Sequence, residues 1–303
     1  MTSNLCKHPS YIADRGMWVD CGHCRACRLK KRGEWVTRIT HELHTTGFQA
    51  LFITLTYDNK HLPKGGSLSK KDIQKFNKRL RMSIARSEKP RSYKYFFCGE
   101  YGPKTCRPHY HAILLGLDMS YADHVKKCWR LCDPTVGVMI EQIGSKRAVA
   151  YVAGYASKKL GVNYNKKFKK TMRKEPEFQL QSSRFGYEYI TQLAKEDERI
   201  LETGLLYSHG VGKILPRAYR KYLDIKGELF ANSVINYQNK IVRHVLKLYP
   251  RTPVWENAGA PASRYRFGDY YVTQEFYDNL NKLRALCDVK LQKLDEQWRQ
   301  KVA

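Results

Sequence analysis

Hydrophobic and polar positions recur along the chain in two rhythms, and the switches between them mark out its elements. Over 33–43 the apolar residues Trp35, Val36, Ile39 and Leu43 return at helical spacing, which predicts an amphipathic basic helix. The β-branched and aromatic run 48–57 (FQALFITLTY) predicts a strand. A loop with Pro63 and two glycines follows over 58–66. Ser69 then opens a helix, with Asp72 completing a capping box and Leu68 and Ile73 available as a hydrophobic staple. Ile73, Phe76, Leu80 and Ile84 form its apolar stripe. Two strands, 93–101 and 109–117, flank the turn-rich stretch GPKTCRP. A helix over 121–131, a strand over 136–143 and a helix from Ser145 to about residue 160 complete the series.

The order β-α-β-β-α-β, then a helix, predicts an α+β fold of ferredoxin-like (split βαβ) type, an antiparallel sheet with helices on one face. It sets residues 48–160 apart as one compact unit, after a Cys-rich segment and basic helix over 1–47. Residues 161–175 read as a basic linker and 176–303 as a mostly helical C-terminal region. In the last of these, Phe276, Leu280, Leu283, Cys287, Leu291, Leu294 and Trp298 are spaced for a helix docked on the protein body rather than for a coiled-coil dimer.

Composition sharpens this picture. The chain has 303 residues, 42% of them apolar, enough for a real core in one large domain or two ordinary ones. No run approaches the roughly 18 apolar residues of a membrane span, and the first residues lack the apolar centre of a secretory signal. Lys and Arg number 55 against 28 Asp and Glu, a net charge of +27 that points to a polyanionic partner, nucleic acid before an anionic membrane. The stretch 163–174 (NYNKKFKKTMRK) is either a solvated linker or an arm along a phosphate backbone, with Tyr164 and Phe168 placed to stack on bases. On the second reading Lys159, Lys166, Lys167, Lys169, Lys170 and Arg173 contact DNA. Much of the basic excess falls outside 48–160, where it would grip DNA on either side of the reacting site.

Nine cysteines, an odd number without a secretion signal, argue for a reducing compartment. Cys6, Cys21, Cys24 and Cys27 cluster with two-residue gaps between the last three. Four thiolates can close a structural Zn²⁺ site, and His8 or His23 could replace one of them. The alternative is a set of reduced, partly buried thiols.

The chemistry centres on His109-Tyr110-His111. Side chains two apart on a strand share a face, so both imidazoles can bind one ion while Tyr110 points away. A hairpin centred near residue 105 brings Glu100 opposite His109 or His111, about 5 Å away. Two imidazoles and a carboxylate leave positions open on Mg²⁺ or Mn²⁺ for a phosphate oxygen. A second constellation lies on the helix predicted after Ser145. There Tyr155 lies about 40° from Tyr151 on the helical wheel, and Lys158 about 20° to the other side. A metal-polarised phosphodiester, a tyrosine nucleophile and a lysine that stabilises its phenolate together describe strand nicking and joining.

These residues resemble a known family. The stretches 52–58 (FITLTYD), 99–102 (GEYG), 107–116 (RPHYHAILLG) and 151–159 (YVAGYASKK) are similar to the motifs of rolling-circle replication initiators of the HUH endonuclease superfamily. They resemble in particular the initiators of small single-stranded-DNA bacteriophages, the gokushovirus branch of the microviruses. The cysteine cluster with its basic helix, and 210–222 (GVGKILPRAYRKY), share the likeness; the last 80 residues carry little of it. The resemblance implies a divalent-metal-dependent, site-specific nick in single-stranded origin DNA of the viral replicative form. A tyrosine would stay linked to the 5′ phosphate, and the free 3′ hydroxyl would prime a host polymerase working with a host helicase in the cytoplasm of an infected bacterium. It makes His109, His111 and Glu100 the metal ligands, Tyr155 and Tyr151 the nucleophiles, and Lys158 their assistant. The competing readings are a plasmid-type relaxase or transposase of the same superfamily, a metal hydrolase, and a non-catalytic single-stranded nucleic-acid-binding protein.

Overall fold

The structure, a computed structural model, describes residues 10–12, 17–22, 24–102, 105–133, 137–143, 173–208, 211–225, 227–256, 265–267, 270–276, 278–280 and 282. They fall into two compact units. A short antiparallel hairpin, β1 (Ser10–Ile12) and β2 (Met17–Val19), belongs to the smaller unit.

The larger unit takes in the described residues of 20–197 together with 216–223. Its elements are α1 (Arg25–Thr45), β3 (Ala50–Thr56), α2 (Lys70–Ala85), β4 (Lys94–Tyr101), β5 (Pro108–Leu115), α3 (Ala122–Cys128), β6 (Val138–Gln142), β7 (Phe178–Gln181) and α4 (Tyr187–Glu196), with a short helix Arg217–Tyr222. Five strands form one antiparallel sheet in the order β6-β3-β5-β4-β7. The capping box at the head of α2 is formed, Ser69 Oγ accepting from the Asp72 N–H at 3.2 Å. Its stripe Ile73, Phe76, Leu80 and Ile84 packs with α3 and Trp129 against Leu51, Ile53, Leu55, Phe97, Tyr110, Ala112 and Leu114 on one face of the sheet.

The other face is covered as well, which corrects the expectation of helices on one face only. Because side chains alternate along a strand, Ala50, Phe96, Cys98, Ile113 and Leu115 leave the first core and form a second apolar surface. Trp35, Ile39 and Leu43 of α1 cover it, with Phe185. The helix predicted over 33–43 is therefore longer at both ends, and its first turn is the cysteine-rich segment itself. Glu42 ties α1 down: buried, its Oε2 accepts from Lys94 Nζ and from the Gly186 N–H, each at 2.8 Å. Gly186 is required there by its left-handed φ of 70° and because a Cβ would overlap the Tyr219 hydroxyl.

Strand β7 is an element that sequence patterning does not announce. Only four residues long, with two polar glutamines, it draws its place from pairing beside β4. Gly99 of β4 makes room for it, since a Cβ at 99 would stand 3.0 Å from the Phe178 ring and 3.1 Å from Leu68. The helix predicted over 121–131 is shorter, a 3-10 turn Met119–Tyr121 followed by α3. The helix predicted after Ser145 lies outside the described residues, as does most of the basic stretch.

The smaller unit is less helical than the sequence suggests. Beside the helices Arg199–Thr203 and Gly227–Leu248 it has a hairpin, Leu205–Ser208 with Val211–Ile214, and three short strands, Val254–Trp255, Tyr265–Phe267 and Tyr270–Val272. Strands of two to four residues carry too little alternation to be read from sequence. Val242, Val245, Val272, Phe276 and Leu280 form its core. Of the predicted C-terminal stripe, Phe276 and Leu280 are thus placed on the unit's core, and Leu283, Cys287, Leu291, Leu294 and Trp298 lie outside the described residues.

Candidate metal centre

The hairpin β4–β5 sets the register that the site depends on. Glu100 pairs directly across from His109, and His111 stands opposite Cys98. Gly102 N–H donates to the Arg107 carbonyl at 2.9 Å and closes the turn. A Cβ at Gly102 would crowd the His109 ring at 3.3 Å, so the second glycine of GEYG clears space for that imidazole. Tyr110, between the histidines, faces the opposite core. There its hydroxyl accepts from the Ser69 N–H at 2.8 Å and lies 2.8 Å from the Tyr57 hydroxyl, which donates to Asp72. Burial pushes the Tyr110 phenol up to about 12, so it is held neutral as a structural pin.

The three predicted ligands converge. His109 Nε2 and His111 Nε2 each lie 3.2 Å from Glu100 Oε1, and all three donor atoms fall within 4.8 Å of one another. The group sits in a half-open recess, with the three side chains 11–19% exposed. Burial would raise the Glu100 carboxyl, but the hydrogen bonds to His109 and His111 outweigh it and hold it at about 2.

Proton placement tests whether these residues suit a cation. His109 Nδ1 lies 3.1 Å from the Arg107 carbonyl oxygen, which only accepts, so Nδ1 carries a proton. When His109 is neutral, its Nε2 lone pair therefore faces the Glu100 carboxylate, and a cation between them resolves that opposition. Separations of 3.2 to 4.8 Å suit a shared ion about 2.0–2.2 Å from each ligand. The donor set fits a divalent metal.

Two supporting groups were not singled out from sequence. Thr54 Oγ1 lies 3.0 Å from His111 Nδ1 and fixes that ring from behind, as second-layer partners of metal-bound histidines do. Phe52 stacks on His111 at 5.7 Å with planes 12° apart. The alternation of FITLT held the clue: it puts Phe52, Thr54 and Thr56 on the face of the histidines, opposite Leu51, Ile53 and Leu55. Arg107 braces the neighbouring loop, donating to the Tyr57 carbonyl at 2.7 Å and to Asn59 Oδ1 at 2.9 Å.

A second possible metal group lies at the head of α1. Cys24 Sγ and Cys27 Sγ are 3.4 Å apart, Cys21 Sγ and Cys27 Sγ 3.9 Å, and the Cys24 N–H donates to Cys21 Sγ at 3.3 Å. Cys21, Cys24 and Cys27 could together hold an ion. No acidic residue occupies the first turn of α1, so thiolates there supply the negative charge that a helix N-terminus favours.

Other predicted site residues are not brought into view. Tyr151, Tyr155 and Lys158, the basic residues Lys159, Lys166, Lys167, Lys169 and Lys170, and Cys6 lie outside the described residues. Arg173 is described and exposed, with a left-handed φ of 50°. No helix among the described residues is long and apolar enough to cross a membrane.

Comparison with known proteins agrees with this geometry. Residues 50–160 match the family described as replication-associated protein ORF2. The replication-associated protein ORF2 of Spiroplasma virus 4 is 28% identical over 208 residues, 61% of this chain and 62% of its own length. The replication-associated protein VP4 of Bdellovibrio phage phiMH2K is 32% identical over 158 residues, 46% of this chain and 48% of its own. The replication-associated protein ORF4 of Chlamydia phage 1 is 27% identical over 212 residues, 62% and 51% of the two chains. The chain thus spans 48–62% of the length of these relatives. No solved structure matches it.

Proposed function

The chain belongs, through residues 50–160, to the ORF2 family of replication-associated proteins with members in small phages, and from that premise we propose that it initiates rolling-circle replication by nicking and rejoining single-stranded origin DNA. One observation carries the reading: two imidazoles on one strand and a carboxylate on its neighbour converge on a single point, on the one sheet face with room for a substrate beside them. The strand order, fourth-first-third-second for the βαββαβ core, supports a ferredoxin-like arrangement beneath it.

Glu100, His109 and His111 would hold Mg²⁺ or Mn²⁺, with imidazole favouring the transition metal. Bound there, the ion supplies Lewis-acid polarisation of the scissile phosphate. Tyr155, or Tyr151, contributes the phenol oxygen that forms a bond to phosphorus as the bond to the 3′ oxygen breaks. The departing oxygen takes up a proton and leaves as a 3′ hydroxyl, while the 5′ phosphate stays on the tyrosine. Lys158 lowers the cost of the phenolate. Because the phosphotyrosine bond replaces a phosphodiester bond, the second tyrosine can carry out a further transfer and rejoin the strand. The protein would act in the cytoplasm of an infected bacterium, hand its primer end to a host polymerase and helicase, and use Zn²⁺ at Cys6, Cys21, Cys24 and Cys27 to fix the head of α1.

Peptide mapping of the covalent adduct formed with single-stranded DNA tiled across the replicon and Mn²⁺ tests this reading. The expected result is a nucleotide 5′ phosphate on Tyr155 or Tyr151; an adduct on any other side chain overturns the assignment.

A further inference from the structure

The helix layer on the far side of the sheet carries a charge distribution that this chemistry does not use. Residues 70–91 hold nine Lys or Arg against two Asp or Glu. On α2, Lys71, Lys75, Lys78 and Arg86 stand exposed on one stripe with Met82 between the last two, and Lys70, Gln74 and Arg81 flank it. The stripe covers 15 residues, or about 22 Å of helix. Beside it lies α3, joined through Ser83 Oγ to His124 Nδ1 at 2.8 Å and through Arg79 Nε to the Cys128 carbonyl at 3.0 Å. It adds Lys126 and Lys127, with Arg130 just beyond, all exposed. Arg79 is near enough to Arg130 to feel it: burial first, then Arg130, lowers its guanidinium.

Little within the layer offsets these charges. Asp72 is engaged with the Tyr57 hydroxyl and the helix cap, and of the stripe and its flank Lys70 pairs with Glu175 at 2.9 Å. Glu88 and Asp123 are the exposed acids nearby. Like charges at i, i+4, as at Lys71 and Lys75, work against a helix, and exposed helices ordinarily intersperse both signs. A surface that accepts this cost suits a polyanion. The layer also lacks a platform for unpaired bases: Phe76, Trp129, Tyr93 and Tyr121 are buried, and Arg81 covers Tyr95 at 5.5 Å. Binding of single strands rests on exposed aromatics as well as charge, whereas cations without them match the backbone of a duplex.

We propose that α2 and α3 form a second DNA contact, which holds the phosphate backbone of duplex DNA on the face of the sheet opposite the metal triad. The inference rests on reading the chain as a protein that acts on DNA, and it gives that protein a grip on unmelted DNA separate from the site that takes the single strand.

The test compares full-length wild type with Lys71→Gln/Lys75→Gln/Lys78→Gln/Arg86→Gln. Each is titrated without metal against a 30-bp duplex and against dT30 over a range of salt. The variant should bind the duplex more weakly, with the slope of log K against log salt shallower by about 3–4, near 0.9 per lost phosphate contact. Binding to dT30 and adduct formation on single-stranded DNA should stay at wild-type levels. An unchanged duplex slope, or an equal loss on both ligands, overturns the proposal. Two double variants, Lys71→Gln/Lys75→Gln and Lys78→Gln/Arg86→Gln, should each show about half the change, which keeps the test open if the fourfold variant folds poorly. The binding readout involves no cleavage, so failure of the nicking chemistry and failure of this surface give different results.

Discussion

At the scale of single residues, the metal triad depends on groups that never touch the ion. Thr54 holds His111 at Nδ1, and its hydroxyl is what Thr54→Val removes at nearly constant volume. Mn²⁺ affinity measured by calorimetry should fall about 10–100-fold in that variant and recover in Thr54→Ser. Gly99 makes a different kind of prediction. Gly99→Ala pushes a methyl to 3.0 Å from Phe178, so urea unfolding should show a loss of about 1–3 kcal/mol. The ligands themselves were legible in the sequence, because a period of two makes His109 and His111 neighbours and a short hairpin can return only a few residues opposite them. Thr54 was less visible: its role rests on lateral pairing of β3 with β5, a contact across 57 residues that local patterning does not encode.

At the scale of elements, α1 joins the two possible metal groups to one scaffold. Its head carries Cys21, Cys24 and Cys27, and its apolar stripe covers the sheet face that bears the triad. Glu42 anchors it, so Glu42→Ala leaves Lys94 without its carboxylate and the Gly186 N–H without an acceptor. A cost of about 3 kcal/mol is expected by chemical denaturation, and adding Lys94→Met should restore part of it. Metal analysis of the purified protein should find zinc, and chelation should strip hydrogen-exchange protection from the first turns of α1. Less than about half an equivalent per chain would count against the cysteine site. The sequence pattern announced α2, β3, β4 and β5 because each is a long run with one clean period and marked ends. It missed β7 and the short strands after residue 200, whose pairing partners, rather than their own residues, make them strands. It also placed helices on one side of the sheet, because the stripe of α1 does not say which face it covers.

At the scale of the whole molecule, the excess of 27 positive charges is not confined to segments outside the catalytic unit. Part of it lies on α2 and α3, inside the unit that carries the triad, and on the other side of the same sheet. The sheet then separates two tasks, metal-assisted cutting on one face and holding of the duplex on the other. The central claim is that the triad drives a tyrosine-linked nick. Its most direct test follows the yield of a denaturant-stable protein–DNA adduct as Mn²⁺ is titrated, for wild type, for His111→Asn and for Tyr151→Phe/Tyr155→Phe. The account predicts a saturable, metal-dependent adduct with wild type and at least a hundredfold less with either variant; an adduct that forms equally well without metal, or that survives in both variants, would contradict it.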